Sequence, residues 1–279
     1  MALAVKEAVD DALAPQANYG NYSVDGHVLA FLVGVIAFSL PIILWLLGRT
    51  AVCQFDSISH FYYAPLGGDL FVIMLGFIFF FMVAYRGRNP IENYASGTAG
   101  LCALMVALVP TERRGCETGE FKLRLLADVQ LTDVDTPLTD VTMGGIDPHF
   151  TLFEGAQTVH LGFALTLFLL LALHCLVIFP RVLKQHRVDG KLIASKWWRN
   201  AIYYTSGVTI LAMIALMGLE KLFQWPWWDR ANGMFYAEAL ALWAFGLSWM
   251  VKGRFLGWSF IIDPVDPVLS PGLSDARAA

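Results

Sequence analysis

Seven side chains able to do chemistry fall at the ends of apolar runs. Residues 56–65 read Asp56-Ser57-Ile58-Ser59-His60-Phe61-Tyr62-Tyr63-Ala64-Pro65. Asp69 follows just beyond, His160 heads an uninterrupted apolar run, and Glu238 sits about one turn inside another. Ionisable groups in such runs are costly, so each is by default a functional hypothesis. Two histidines and a carboxylate with one open position form the catalytic zinc pattern, in which the metal lowers the pKa of bound water to about 7. On that reading His60, His160 and Glu238 are the ligands and Asp56 the general base. Ser57 or Ser59 stabilises the oxyanion, and the protein hydrolyses lipid amides or esters. The ligands come from separate segments, without the short His-Glu-x-x-His spacing of the stronger zinc motifs.

Other chemistries compete for the same residues. Proton or ion translocation could use Glu238 and His160, but a relay needs further titratable groups along the path, and few occur. A hydrogen-bonded network fixing helix ends needs only what is present, with Tyr62 and Tyr63 adding hydroxyls. A shallow outer pocket for a ligand would be lined by the same set. Haem is a further idea, because His160 and His174 lie fourteen residues apart on one run, or about 21 Å along a helix. Their partners would be His60 and His27, but neither lies within an apolar run and no second run repeats the spacing. His174 reads instead as a buried histidine bonded to a backbone carbonyl.

The elements that position these groups follow from composition. The 279 residues are 57% hydrophobic and 15% charged, with net charge −4 and 14% aromatic residues; the mean hydropathy is +0.58. A soluble chain carries about 25% charged residues. Disordered, collagen-like and nucleic-acid-binding classes all require more polarity or positive charge, which leaves a membrane protein. A helix crossing about 30 Å of hydrocarbon needs roughly 20 residues. Six runs qualify, at 28–47, 66–85, 93–109, 159–179, 201–222 and 234–251. The runs are too long and too uniformly apolar for barrel strands or for amphipathic soluble helices. Fold class is therefore all-α, a polytopic bundle of six transmembrane helices. The third run is the weakest, short and rich in small residues that favour close helix contact, Gly97 and Gly100 among them. Pro41 should kink the first.

Lys and Arg fix the expected orientation. Arg86 and Arg88 follow the second run. Arg181, Lys184, Arg187, Lys191, Lys196 and Arg199 follow the fourth, and Lys252 and Arg254 the last. With six spans these share one side, the cytoplasm, where residues 1–26 and 254–279 form the two tails of a transmembrane domain at 27–253. Val5, Val9 and Leu13 would allow a short amphipathic helix, though a solvated tail fits the N-terminal segment better. No secretory signal is present. Trp197 and Trp198 should mark the inner interface, and Trp225, Trp227 and Trp228 the outer one.

The outer loop 111–157 is acidic and alternates apolar and polar residues around Thr136-Pro137, which predicts a small hairpin. Its carboxylates do not match the spacing of a calcium loop, and a cap over the helix ends or a docking surface for another subunit fits better. Cys102 and Cys175 lie inside runs and read as small buried residues. Cys53 and Cys116 fall in outer loops, where an oxidising compartment would allow a disulfide; two free thiols are the alternative.

Five stretches also carry a resemblance: Ser57-Ile-Ser-His-Phe-Tyr-Tyr-Ala-Pro65, Ala84-Tyr-Arg-Gly87, Ala107-Leu-Val-Pro-Thr111, His160 heading its run, and 238–253 from Glu238 to Gly253. Over residues 28–253 the chain resembles a bacterial family of uncharacterised six-helix inner-membrane proteins, classed as a domain of unknown function. The resemblance implies the six-helix architecture and the importance of the Ser-Ile-Ser loop, the His and the Glu, and it supplies no reaction. Family members often carry an acidic residue at His60 and a shorter outer loop. The chain is more distantly similar to membrane hydrolases of the alkaline ceramidase type, but it lacks their His-x-x-x-His pair and has Glu238 and Trp243 on its last run.

The reading that follows is a multi-pass protein of the bacterial cytoplasmic membrane with both termini inside. Its outer polar pocket comprises Asp56, Ser57, Ser59, His60, Tyr62, Tyr63, Asp69, His160 and Glu238. It binds a lipid, a small ligand or a partner subunit, and no nucleic acid. The metal-dependent lipid hydrolase, with zinc as cofactor, is the alternative.

Overall fold

The computed structural model describes residues 26–50, 54–87, 90–111, 152–182, 187–188 and 191–254. The tails, Cys53, Cys116 and nearly all of the loop at 111–157 lie outside them, and with these the expected hairpin, the disulfide and the surface helix.

The architecture is an all-α bundle. Its long helices are α1 (Gly26–Thr50), α2 (Pro65–Ala84), α3 (Pro90–Leu108), α4 (Ala156–Leu173), α5 (Ala194–Phe223) and α7 (Gly233–Gly253), with a short α6 (Pro226–Arg230) before the last. A 3-10 turn at Ser59–Tyr63 precedes α2, and a π-helical turn at His174–Ile178 extends α4. A two-residue antiparallel ribbon, Arg187–Val188 with Lys191–Leu192, joins α4 to α5. Each long helix packs on its sequence neighbours, and α7 returns to pack on α1. The six therefore close into a ring.

Five of the six are long and apolar enough to cross a membrane, α3 being the exception. Their outward faces carry Ile73, Phe77, Phe80, Leu165, Leu169, Val208 and Leu211, all exposed. Large apolar side chains arrayed outward on several helices are what a bilayer solvates and water does not. The chain is a multi-pass membrane protein. Helix α3 instead turns Ala95, Ser96, Ala99, Gly100, Cys102 and Ala103 inward, and its apolar content is spent on small residues that bring α2 and α4 close.

A close backbone approach lies elsewhere in the ring, between α1 and α7. A Cβ placed on Gly34 would lie 2.6 Å from the backbone nitrogen of Met250, and one on Gly246 would lie 2.8 Å from the Gly34 carbonyl oxygen. A Cβ on Gly253 would meet the His27 carbonyl at 2.8 Å. These glycines let the two backbones touch. Of the pair expected from the sequence, Gly100 faces α2, whereas nothing lies within 4 Å of a Cβ on Gly97. Helix α1 runs through the buried Pro41 without ending, and Trp243 Nε1 donates to the Phe38 carbonyl at 3.0 Å, in the turn that Pro41 interrupts.

Two sequence expectations need correction. Helix α5 begins at Ala194, not near 201, so Lys196 and Arg199 belong to its first turns and are buried rather than sitting in a connection. Sequence hydropathy scores both as polar, yet the Lys196 ammonium itself is enclosed, donating to the Phe179 carbonyl at 2.9 Å. Trp228 is also buried, at 3% exposure, while Trp227 is exposed. The Trp228 ring occupies the space beside Gly233, where a Cβ would come within 2.3 Å of it.

Candidate functional site

Residues 54–64 fold inward because their aromatic residues do. Phe55, Ile58 and Phe61 are buried, and Phe61 packs against Phe55 at 5.0 Å and Phe235 at 5.9 Å between ring centroids. That contact brings the segment against the first turns of α7. The backbone N–H of Phe235, one of the donors left unsatisfied at a helix start, donates to the Asp56 carbonyl at 2.7 Å.

One turn further along α7, Glu238 closes the joint. Ser57 Oγ lies 3.1 Å from its Oε1 and 2.9 Å from its Oε2, and Ile58 N–H donates to Oε2 at 2.6 Å. Ser59 N–H donates to Ser57 Oγ at 3.2 Å, a local serine turn. His160, on the first turns of α4 and 2% exposed, ties the segment to two more helices. Its Nδ1 is 2.6 Å from the Val109 carbonyl at the end of α3. A carbonyl only accepts, so Nδ1 carries the proton; Nε2 of the neutral ring then accepts from the Ser59 hydroxyl at 3.1 Å. His60 Nδ1 bonds to Asp56 Oδ1 four residues back, and Tyr63 OH donates to the Thr111 carbonyl at 2.7 Å.

Ser57, Ser59, His160 and Glu238 thus form one connected group, with Asp56 and His60 paired on the same segment. Tyr62 stands edge-on to Tyr63 at 5.3 Å, and Asp69 lies on the exposed face of α2. The ligand triplet His60, His160 and Glu238 is not gathered as a metal set. Among the described residues no three His, Cys, Asp or Glu side chains could hold a metal ion together. Both oxygens of Glu238 and both ring nitrogens of His160 already face hydrogen-bond partners. The carbonyls of Val109 and Thr111 and the N–H of Ile58 complete the group; backbone groups leave no trace in residue type, so the sequence offered no signal for them.

The other two histidines among the described residues, His174 and His27, are also engaged. His174 Nδ1 donates to the Leu170 carbonyl at 2.7 Å, and Ser96 Oγ donates to Nε2 at 3.0 Å. His27 Nδ1 lies 3.2 Å from the Lys252 carbonyl. Cys102 and Cys175 are buried free thiols, with Cys175 Sγ 3.0 Å from Ser248 Oγ.

At the opposite end of the bundle lies a group that the sequence reading missed. Glu92, 2% exposed at the start of α3, accepts from Tyr85 OH at 2.8 Å and stands 3.4 Å from Lys252 Nζ on α7. It was legible as an acid two residues inside a helix beginning at Pro90, but the third apolar run starts just after it. No family model, no curated protein and no solved structure matches this chain.

Proposed function

We propose that this is a non-catalytic integral membrane binding or accessory protein, whose outer polar face receives a lipid headgroup, a small ligand or a partner subunit. One observation carries the reading. The N–H groups of Ile58 and Ser59, which flank the serines and would serve as oxyanion donors, are committed to Glu238 and Ser57. An oxyanion hole needs donors aimed at the place where charge develops. Here the donors and acceptors satisfy one another, and the group acts as a rigid floor joining α3, α4, α7 and the segment before α2. Asp56 and Tyr62, both half-buried, stand on that floor as the recognition surface, with His60 bonded to Asp56 beneath them and Asp69 exposed on α2.

The proposal includes six crossings, with α3 as the sixth. Its support is that α3 joins the Tyr85–Lys252 end, through Glu92, to the His160 end, through Val109. It also includes the bacterial inner membrane, both termini cytoplasmic, and membership with the six-helix inner-membrane proteins that the sequence resembles. The concentration of Lys and Arg at one end supports that orientation.

A second reading has one specific observation in its favour. Ser59 and His160 have the geometry of a nucleophile and its base, with the ring oriented by a carbonyl. A lipid ester or amide hydrolase would use Ser59 in that role, with no metal bridging His60, His160 and Glu238. A serine-directed fluorophosphonate probe separates the two. The binding reading expects Ser59 to remain unlabelled, and native mass spectrometry of detergent-extracted protein to show a bound lipid or polypeptide that an Asp56→Asn, Tyr62→Ala variant loses. Labelling of Ser59 that disappears in His160→Ala overturns it in favour of the hydrolase.

A further inference from the structure

Helices α4 and α5 are pressed together at one end and part toward the other. A Cβ on Gly207 would overlap the Leu176 side chain and come within 3.1 Å of the Cys175 Cβ. The Phe179 and Tyr203 rings lie 5.3 Å apart between centroids. Beyond its first turns the buried stripe of α5 is Tyr203, Ser206, Gly207 and Ile210, spaced as one helix face. That face continues through Ile214, Met217, Gly218 and Lys221, toward the end that holds the serine segment. Ile214 and Met217 are half-buried, Gly218 and Lys221 are exposed, and no residue at 211–223 is buried.

The same change runs along α4. Toward the serine segment, Leu176 shares its helix face with Ala172, Leu169, Leu165 and Gly162. Ala172 is 1% exposed, whereas Leu169 and Leu165 are 46% and 48% exposed. Among the described residues nothing lies within 4 Å of a Cβ on Gly162 or on Gly218. The two helices thus bound a wedge, shut at Gly207 and open at the serine-segment end. Its walls are apolar, with Leu165 and Leu169 on one side and Ile214 and Met217 on the other.

We propose that this wedge holds an acyl chain of a membrane lipid, from the leaflet on the serine-segment side. Its length selects that occupant. Gly207 stands near the middle of the 30-residue α5, and the rise from Gly207 to Gly218 is about 16 Å. Half of a hydrocarbon core about 30 Å thick is nearly the same, so the wedge occupies one leaflet. Space at that depth is filled by hydrocarbon and not by water. A helix crossing the bilayer, about 10 Å wide, would be stopped halfway at the Gly207 contact, whereas an acyl chain ends where the wedge ends. The mouth lies at Gly162, two residues along α4 from His160, which bonds to Ser59. A lipid seated there has its headgroup at the level of the Asp56 and Tyr62 surface. The inference rests on the reading of that surface as a binding face, and selects a lipid among the ligands it could take.

The test is native mass spectrometry of the full chain, taken from vesicles of equal parts phosphatidylethanolamine and phosphatidylglycerol into a non-ionic detergent. The wild type is expected to carry a lipid through a delipidating wash. Gly218→Phe puts a ring into the wedge and should cut the retained lipid about tenfold, because the chain's burial is forfeited. Leu165→Trp narrows the wedge from the α4 wall and takes its place if Gly218→Phe does not fold. Gly76→Phe also enters open space, but on α2, and should retain lipid as the wild type does. Lipid kept in full by the wedge variants, lost equally from Gly76→Phe, or absent from the wild type overturns the proposal. If the wedge variants keep a lipid that the Asp56→Asn, Tyr62→Ala variant loses, the wedge fails and the outer-face reading stands. A polypeptide carried in place of lipid overturns the wedge and leaves the accessory reading.

Discussion

Glu238 holds Ser57 with both carboxylate oxygens, at 3.1 and 2.9 Å, across 181 positions of sequence. Replacing Glu238 with Leu strands the Ser57 hydroxyl and the Ile58 N–H in a half-buried joint. A group left unsatisfied in this way costs about 1–3 kcal/mol. The thermal midpoint of Glu238→Leu should therefore fall below that of the wild type, and Glu238→Gln, which keeps one acceptor, should lie between them. A Glu238→Leu protein more stable than wild type would show that the carboxylate is kept for binding and not for the scaffold.

His160 and His174, both buried, should share one tautomer. His160 and His174 each direct Nδ1 at a backbone carbonyl, so nitrogen chemical shifts should report Nδ1–H for both. Ser59→Ala should move the Nε2 shift of His160 and leave that of His174 in place. It should cost about 1 kcal/mol, the usual net worth of a neutral hydrogen bond.

Glycines in this protein divide by what faces them. Gly246→Val must push α7 off the α1 backbone, where a Cβ already lies 2.8 Å from an oxygen. Overpacking of this kind costs about 1–3 kcal/mol or more. Gly97→Ala meets nothing within 4 Å and gains helix propensity, up to about 1 kcal/mol. Paired unfolding curves should show opposite signs.

The Glu92 group should be sensitive from every side. Tyr85→Phe removes one hydrogen bond to a charged acceptor, worth about 1.5–3 kcal/mol. Lys252→Met removes the ammonium that stands 3.4 Å from the buried carboxylate, and breaking a buried pair typically costs about 3–5 kcal/mol. Adding Glu92→Gln to Lys252→Met should recover part of that loss, measurable as a double-mutant coupling.

The helices were readable because a bilayer demands them: a run near 20 apolar residues has few other fates. The convergence of Ser57, Ser59, His160 and Glu238 was readable from topology, since alternating crossings return those positions to one end. What escaped had physical reasons. Lys196 and Arg199 look like loop residues, because hydropathy counts the charge and not the partner that lets it be buried, such as the Phe179 carbonyl for Lys196. Glu92 escaped for the same reason, its charge trimming the apparent start of α3. The contact of Gly34 with Gly246 lies between helices far apart in the chain, and no single-helix pattern encodes it. The metal triplet differs in kind: both Glu238 oxygens meet Ser57 or Ile58, both His160 nitrogens meet Val109 or Ser59, and His60 bonds to Asp56.

Closure of the ring by α7 also bears on how the protein is made. During synthesis α1 emerges long before α7, so the groove that will accept Gly246 and Gly253 must wait, open to lipid, while the intervening helices are inserted. The serine segment waits with it, lacking Glu238. A ribosome stalled before α7 would leave an inserted but unlatched chain, with its polar joint unanswered at the helix ends. Such a joint is what a membrane protease could use to tell an unfinished molecule from a finished one.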